Sequence, residues 1–287
     1  MASARAIVQL TKLPIASVST LTAATGFLCF DRQVRWGLAW ACAGTLLLAA
    51  GACALNEWQE RGLDARMERT RKRPIPSGKV KPWEAVVLSA LLALGGAALL
   101  LAACGPVPAG LGALAVLWYN GLYTPLKRVT AFAVIPGAVI GALPPAIGWT
   151  AAGGSAGDPR LFALAFFFFV WQVPHFWLLL LKHGEDYERA GFPSITRLFM
   201  RPQLARLTCV WMLCTAAASL LLWLYGLLTS AWAPWALLTA GLVLAGFAFD
   251  LLRSSGDDRS VRWGFLGINL YACLVMAVLA CDALATR

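Results

Sequence analysis

The sequence predicts an all-α polytopic membrane protein: about nine transmembrane helices bundled around a central apolar cavity, with a site at its cytoplasmic end. Three observations predict it. Of 287 residues 60% are hydrophobic and 13% charged, with a mean hydropathy of +0.70, whereas soluble domains carry roughly 25% charged residues. Apolar runs repeatedly reach the roughly 20 residues that cross a hydrocarbon core, where a backbone satisfies its own hydrogen bonds by forming helices. Finally, Lys and Arg gather in alternate loops, as the positive-inside rule requires of a membrane protein.

The spans are placed between charge clusters at 14–30, 36–55, 83–104, 106–123, 131–152, 160–181, 204–228, 231–252 and 262–284. The first is interrupted by Pro14 and several Ser and Thr residues, and the fourth is short. Inside the sixth, Pro174 should kink or break the helix. The four-Phe run 166–169 reads as a lipid-facing stretch of that span. The whole chain, 1–287, forms one transmembrane domain, and without a short h-region and cleavage site at the amino terminus the first span is expected to be retained.

With a cytoplasmic amino terminus, 20 of the 24 Lys and Arg fall on the inner side, and Arg32, Arg35, Arg160 and Arg287 remain outside. The expected orientation is N-in and C-out in a bacterial inner membrane. The same asymmetry explains the net charge of +10 without nucleic acid. The eight cysteines show no paired spacing and read as small buried hydrophobes, not as a disulfide framework or zinc site.

Chemistry concentrates in the inner loops. In the first, Asn56, Glu60 and Asp64 stand at i, i+4 and i+8, so a continuing helix places three oxygen donors on one face, drifting about 40° per step. Such a wall suits Mg²⁺, which takes one or two carboxylates while phosphate oxygens and water complete its octahedron. Arg66, Arg69, Arg71, Lys72 and Arg73 follow at once and are suited to phosphate oxygens. A second reading is a wet helix end whose basic run anchors anionic lipid headgroups. Favouring the first, Asn56 directly continues the apolar span ending at Leu55, and ionisable residues near membrane depth are costly and functional by default.

A further inner loop carries Tyr119, Tyr123, Lys127 and Arg128, readable as diphosphate ligands or as an aromatic belt with topological cations. The second large loop begins Trp171-Gln172-Val-Pro174-His175 and continues through Lys182, Glu185, Asp186 and Glu188. Gln172 and His175 point polar groups into the bundle, His175 either as a hydrogen-bonded core residue or as a haem contact. Asp186 is the best second metal ligand in this loop. Both large loops run acidic then basic and contain proline, which suggests that they face one site.

The pattern N-x-x-x-[D/E]-x-x-x-D at 56–64, followed by Met67-x-Arg69-Thr70-x-x-Arg73-Pro74, resembles the first aspartate-rich signature of the UbiA superfamily of membrane prenyltransferases. Tyr123-Thr-Pro-Leu-Lys127-Arg128-Val-Thr130, Pro144-Pro145-Ala-Ile-Gly148-Trp149, Trp171-Gln-Val-Pro174-His175-Phe176 and the short Leu10-Thr11-Lys12 are similar to segments of its protoheme IX farnesyltransferase branch, the haem O synthases. Glu60 stands where bacterial members usually have Asp. The usual second D-x-x-x-D is reduced to Asp186, with Ala190 four residues on and Lys182 four before.

The resemblance implies an enzyme that joins farnesyl diphosphate to protoheme IX with Mg²⁺, in the membrane, beside haem A synthase or the terminal-oxidase assembly machinery. It assigns metal binding and catalysis to Asn56, Glu60, Asp64 and Asp186. Substrate contacts fall to Arg66, Arg69, Arg73, Tyr123, Lys127, Arg128, Lys182 and His175. Rival expectations are a UbiA enzyme acting on an aromatic or quinone precursor, and a non-catalytic haem transport or assembly protein.

Overall fold

The computed structural model describes residues 3–286; Arg287, counted above among the outer cations, lies outside the described residues. Its elements are all helical: α1 (Ala4–Leu10), α2 (Leu13–Asp31), α3 (Trp36–Asp64), α4 (Pro82–Cys104), α5 (Pro106–Val116), a π-helical stretch Leu117–Tyr123, α6 (Thr124–Leu126), α7 (Val134–Gly137), α8 (Val139–Ala151), α9 (Pro159–Arg189), α10 (Arg201–Leu224), α11 (Ala233–Arg253) and α12 (Asp258–Ala285). Among the described residues eight helical spans are long and apolar enough to cross a membrane. The short fourth predicted span is the composite run from α5 through α6, which is why it is not one of the eight.

Its irregularity has a local cause. Pro125 has no N–H to donate and would clash with the preceding turn of a regular helix. The backbone widens into π geometry instead, and the Thr124 hydroxyl donates to the Tyr119 carbonyl at 2.9 Å. Asn120, carried by the widened turn, donates through Nδ2 to the Ala52 carbonyl and to Gln59 Oε1, pinning this stretch to α3. In α9 Pro174 does not break the helix, which runs continuously from Pro159 to Arg189.

Small residues let the helices approach. A Cβ on Gly148 of α8 would sit 1.8 Å from the Ala23 carbonyl oxygen of α2, and one on Gly26 would sit 2.0 Å from the Pro145 carbonyl oxygen. The Pro-Pro-x-Ile-Gly-Trp segment therefore packs α8 against α2 backbone to backbone, and Trp149 is fully buried there. Gly44, Gly51 and Gly96 give α3 and α4 the same closeness.

Two sequence readings are corrected. Phe167 and Phe168 lie in the protein core and only Phe166 of the four-Phe run is exposed, since at about 100° per residue four consecutive side chains cannot share one helix face. Of the cysteines, all free, Cys214, Cys273 and Cys281 are exposed on apolar helices, where lipid makes burial in protein unnecessary. The two large loops touch each other. The Glu68 N–H donates to Asp186 Oδ1 at 3.2 Å and Arg69 Nη2 donates to the Tyr187 hydroxyl at 3.3 Å.

Candidate active site

At 1.5 Å per residue, the 29 residues of α3 run about 43 Å, beyond a hydrocarbon core of about 30 Å. Its final turns carry Asn56, Glu60 and Asp64, which are 1%, 6% and 1% exposed. All three line the end of a cavity of about 630 Å³ whose remaining wall is mainly apolar.

Each oxygen donor meets a cation from a different segment. Lys12 Nζ donates to Asn56 Oδ1 at 2.7 Å, Lys127 Nζ lies 2.5 Å from Glu60 Oε1, and Arg73 Nη1 donates to both Asp64 oxygens at 2.8 Å. Lys12 reaches its partner from the α1–α2 turn, where its φ of 46° is a left-handed conformation costing a side-chain-bearing residue about 1 kcal/mol. Lys127 follows α6, and its ammonium lies 5.0 Å from the Tyr123 ring centroid. Asn56 Nδ2 donates to the Thr124 hydroxyl at 3.1 Å, locking its amide so that the oxygen faces Lys12.

Arg73 is delivered by the 65–81 loop, which is held down at several points. Thr70 Oγ1 donates to the Asp64 carbonyl at 2.9 Å. The Ile75 N–H donates to Oε1 of the fully buried Glu57 at 3.1 Å. Ile75 and Val80 pack with Ala6 and Leu10 of α1 and with Ala54 and Ala85.

Electrostatics follow from burial. Burial opposes the charge on Lys127, but the Glu60 carboxylate outweighs it and holds the ammonium above the ordinary lysine pKa. Arg73 behaves likewise through Asp64. Burial, reinforced by the neighbouring Arg73, pulls Lys12 below the ordinary lysine value. Three carboxylates, Glu57 included, face three cations, so the cluster is charge-balanced. An incoming polyanion gains most here when it brings cations of its own.

The donor chemistry fits that role. Carboxylate and amide oxygens are the hard donors that Mg²⁺ takes, and one or two carboxylates suffice when a substrate contributes phosphate oxygens. Among the described residues no group of three His, Cys, Asp or Glu side chains is placed to hold a metal alone. The set therefore fits a divalent cation in the company of an oxygen-rich anion.

Farther round the cavity wall stands His175 of α9, with Tyr119, Tyr123, Phe176 and Gln172 also lining it. Tyr119 and Tyr123 stack at 5.9 Å. His175 Nδ1 lies 2.9 Å from Asn269 Oδ1 of α12, and Trp171 Nε1 donates to the Ile268 carbonyl at 2.9 Å.

A charged cluster at the mouth of an apolar chamber in an all-helical membrane bundle can be compared with known proteins. A family model of the UbiA prenyltransferase family matches residues 13–272. The chain belongs to this family. It is 50% identical over 200 residues to the protoheme IX farnesyltransferase of Geobacter sulfurreducens, covering 68% of this chain and 72% of the relative. Its 36% identity with the protoheme IX farnesyltransferase of Oleidesulfovibrio alaskensis runs over 283 residues and covers 98% of both. The UbiA homologue of Archaeoglobus fulgidus solved bound to DMAPP and Mg²⁺ shares the fold, with a TM-score of 0.73 at 12% identity, covering 98% of this chain and 99% of that one.

Of the residues expected at the site of this UbiA prenyltransferase, Asn56, Glu60, Asp64, Arg69, Arg73, Tyr123, Lys127 and His175 line the one cavity. Four do not. Asp186 and Lys182 line an adjoining, more polar pocket with Glu68 and Glu185, and Arg69 borders both. Asp186 Oδ1 accepts from the Glu68 N–H, so the reduced second motif joins the two loops. Arg128 is exposed and donates to the Gln59 carbonyl, and Arg66 is exposed, away from the cavity. Sequence reasoning gave no role to Lys12, Glu57 or Asn269. Lys12 had a signal, a lone cation immediately before the first apolar span; Asn269 had only its polarity within an apolar run.

Proposed function

We propose that this UbiA-family protein transfers the farnesyl group of farnesyl diphosphate to a vinyl group of protoheme IX, giving haem O and diphosphate. The observation that carries the reading is the acidic and cationic cluster closing one end of the apolar cavity, Asn56, Glu60 and Asp64 against Lys12, Lys127 and Arg73. The branch of the family follows from the protoheme IX farnesyltransferases it resembles over most of its length.

Asn56, Glu60 and Asp64 would hold Mg²⁺, which when bound supplies positive charge for the leaving diphosphate. Arg73, Lys127, Lys12 and Arg69 donate hydrogen bonds to its phosphoryl oxygens, and such preorganised donors act where negative charge develops. The C1–O bond breaks and its electron pair leaves with diphosphate, so the farnesyl carbon becomes an allylic cation. The rings of Tyr119, Tyr123 and Phe176 line the chamber, and aromatic faces attract cations. Apolar walls keep water from quenching the cation early. The vinyl π pair then forms the new C–C bond, and water adds to the resulting carbocation and loses a proton to solvent, leaving a hydroxyethylfarnesyl chain.

The protein works in the bacterial cytoplasmic membrane with the amino terminus and the cluster on the cytoplasmic side and the carboxyl terminus outside. Haem O would pass to haem A synthase or to terminal-oxidase assembly. The test is incubation of purified protein with farnesyl diphosphate, Mg²⁺ and either haem or aromatic acceptors. Haem O plus diphosphate is the expected outcome. Prenylated aromatic product alone, or binding of haem with no diphosphate release, overturns the proposal.

A further inference from the structure

The His175 imidazole is held by an amide whose orientation is itself determined. Asn269 Nδ2 donates to the Phe265 carbonyl at 2.6 Å, one turn back on α12. Flipping that amide would set two oxygens against each other, so Oδ1 is the atom that faces His175. An amide oxygen only accepts, hence the 2.9 Å contact makes Nδ1 the protonated ring nitrogen. Nε2 is left with a lone pair, and among the described residues it has no hydrogen-bond partner. The ring is fixed between Trp171 and Phe265, with centroids at 5.2 and 5.1 Å, and both His175 and Asn269 line the cavity.

A neutral imidazole donating one N–H to a carbonyl while offering the other nitrogen is the arrangement in which proteins present histidine to metals. We propose that Nε2 of His175 coordinates the iron of the haem acceptor and that Asn269 is the positioning residue that selects the coordinating tautomer. This deepens the proposed function and rests on its reading of haem as acceptor. Coordination at the ring centre would hold the porphyrin in one place while its vinyl edge meets the prenyl carbon.

The experiment uses the full-length protein in detergent, titrated separately with haemin and with metal-free protoporphyrin IX, with melting temperature as a control of folding. Wild type should show the Soret shift of nitrogen-ligated haemin. His175→Gly should lose that shift, regain it on addition of imidazole, and bind metal-free protoporphyrin as wild type does. Asn269→Leu should weaken haemin binding about tenfold, the lower end of the effect of removing such an outer hydrogen bond. Asn269→Asp, whose carboxylate accepts the same proton, should keep the shift; Asn269→Ser serves if the Leu variant does not fold. A wild-type haemin complex without nitrogen ligation, or a shift that survives His175→Gly without imidazole, overturns the coordination. An Asn269→Asp variant as weak as Asn269→Leu overturns the positioning role. Failure of wild type to bind either porphyrin instead defeats the haem acceptor itself.

Discussion

Arg73 Nη1 lies 2.8 Å from both carboxylate oxygens of Asp64, a pair formed between the last residue of α3 and the loop that follows it. The carboxylate is 1% exposed and its charge is compensated by Arg73; in the proposed reaction it would be freed for a metal as that guanidinium turns to a phosphate. Removing the charge while keeping the shape should therefore stop catalysis without unfolding the protein. Asp64→Asn is expected to lower haem O formation by roughly 10²-fold or more, a magnitude typical of losing one charge-stabilising group. Chromatography of extracted haems checks it, with membrane insertion and melting temperature unchanged.

The Lys127–Glu60 pair behaves differently, because both groups are largely buried. Deleting one partner of such a pair leaves an uncompensated charge and costs about 3 kcal/mol or more. Lys127→Met should lower the melting temperature in detergent, and Lys127→Met combined with Glu60→Leu should recover most of that loss while remaining inactive. Stability of the double variant equal to or below that of the single one would remove the pair from the account.

Diphosphate release should depend on divalent metal. Chelation is expected to reduce it to background, and added Mg²⁺ to restore it, since the cluster's own cations are already matched by Glu57, Glu60 and Asp64. Release that persists in chelator, measured by a phosphate-coupled assay, would mean that Lys12, Arg73 and Lys127 suffice.

Asp186 is tied to the backbone of Glu68 and does not line the cavity, so its loss should loosen the two loops. Asp186→Ala is expected to raise the KM for farnesyl diphosphate about tenfold, with a smaller fall in kcat than Asp64→Asn produces. Steady-state kinetics in detergent separate the two; equal collapse of kcat would place Asp186 among the groups touching the reacting atoms.

Close helix packing gives a last contrast. Gly148→Ala forces a Cβ to 1.8 Å from the Ala23 carbonyl oxygen, whereas a Cβ on Gly95 meets nothing within 4 Å. The first change should cost several kcal/mol by overpacking and the second should be neutral or slightly stabilising. Thermal unfolding of the two variants under the same conditions tests the difference.

Hydropathy, charge asymmetry and the spacing of Asn56, Glu60 and Asp64 were legible in the chain, because each is local: a span needs a run of apolar residues, and residues four apart share a helix face whatever surrounds them. The same locality explains the errors. A short fourth span hid a π-widened turn, and Phe167 and Phe168 were taken for lipid-facing. Only packing decided that Lys12, Lys127 and Arg73, from three distant segments, each meet one member of that triplet. Only packing, too, brought Asn269 of α12 to His175 of α9, 94 residues away. Sequence determined the membrane bundle and the oxygen-donor face. Which cations oppose that face, and which nitrogen of His175 stays open to the cavity, depend on contacts that only the folded chain brings together.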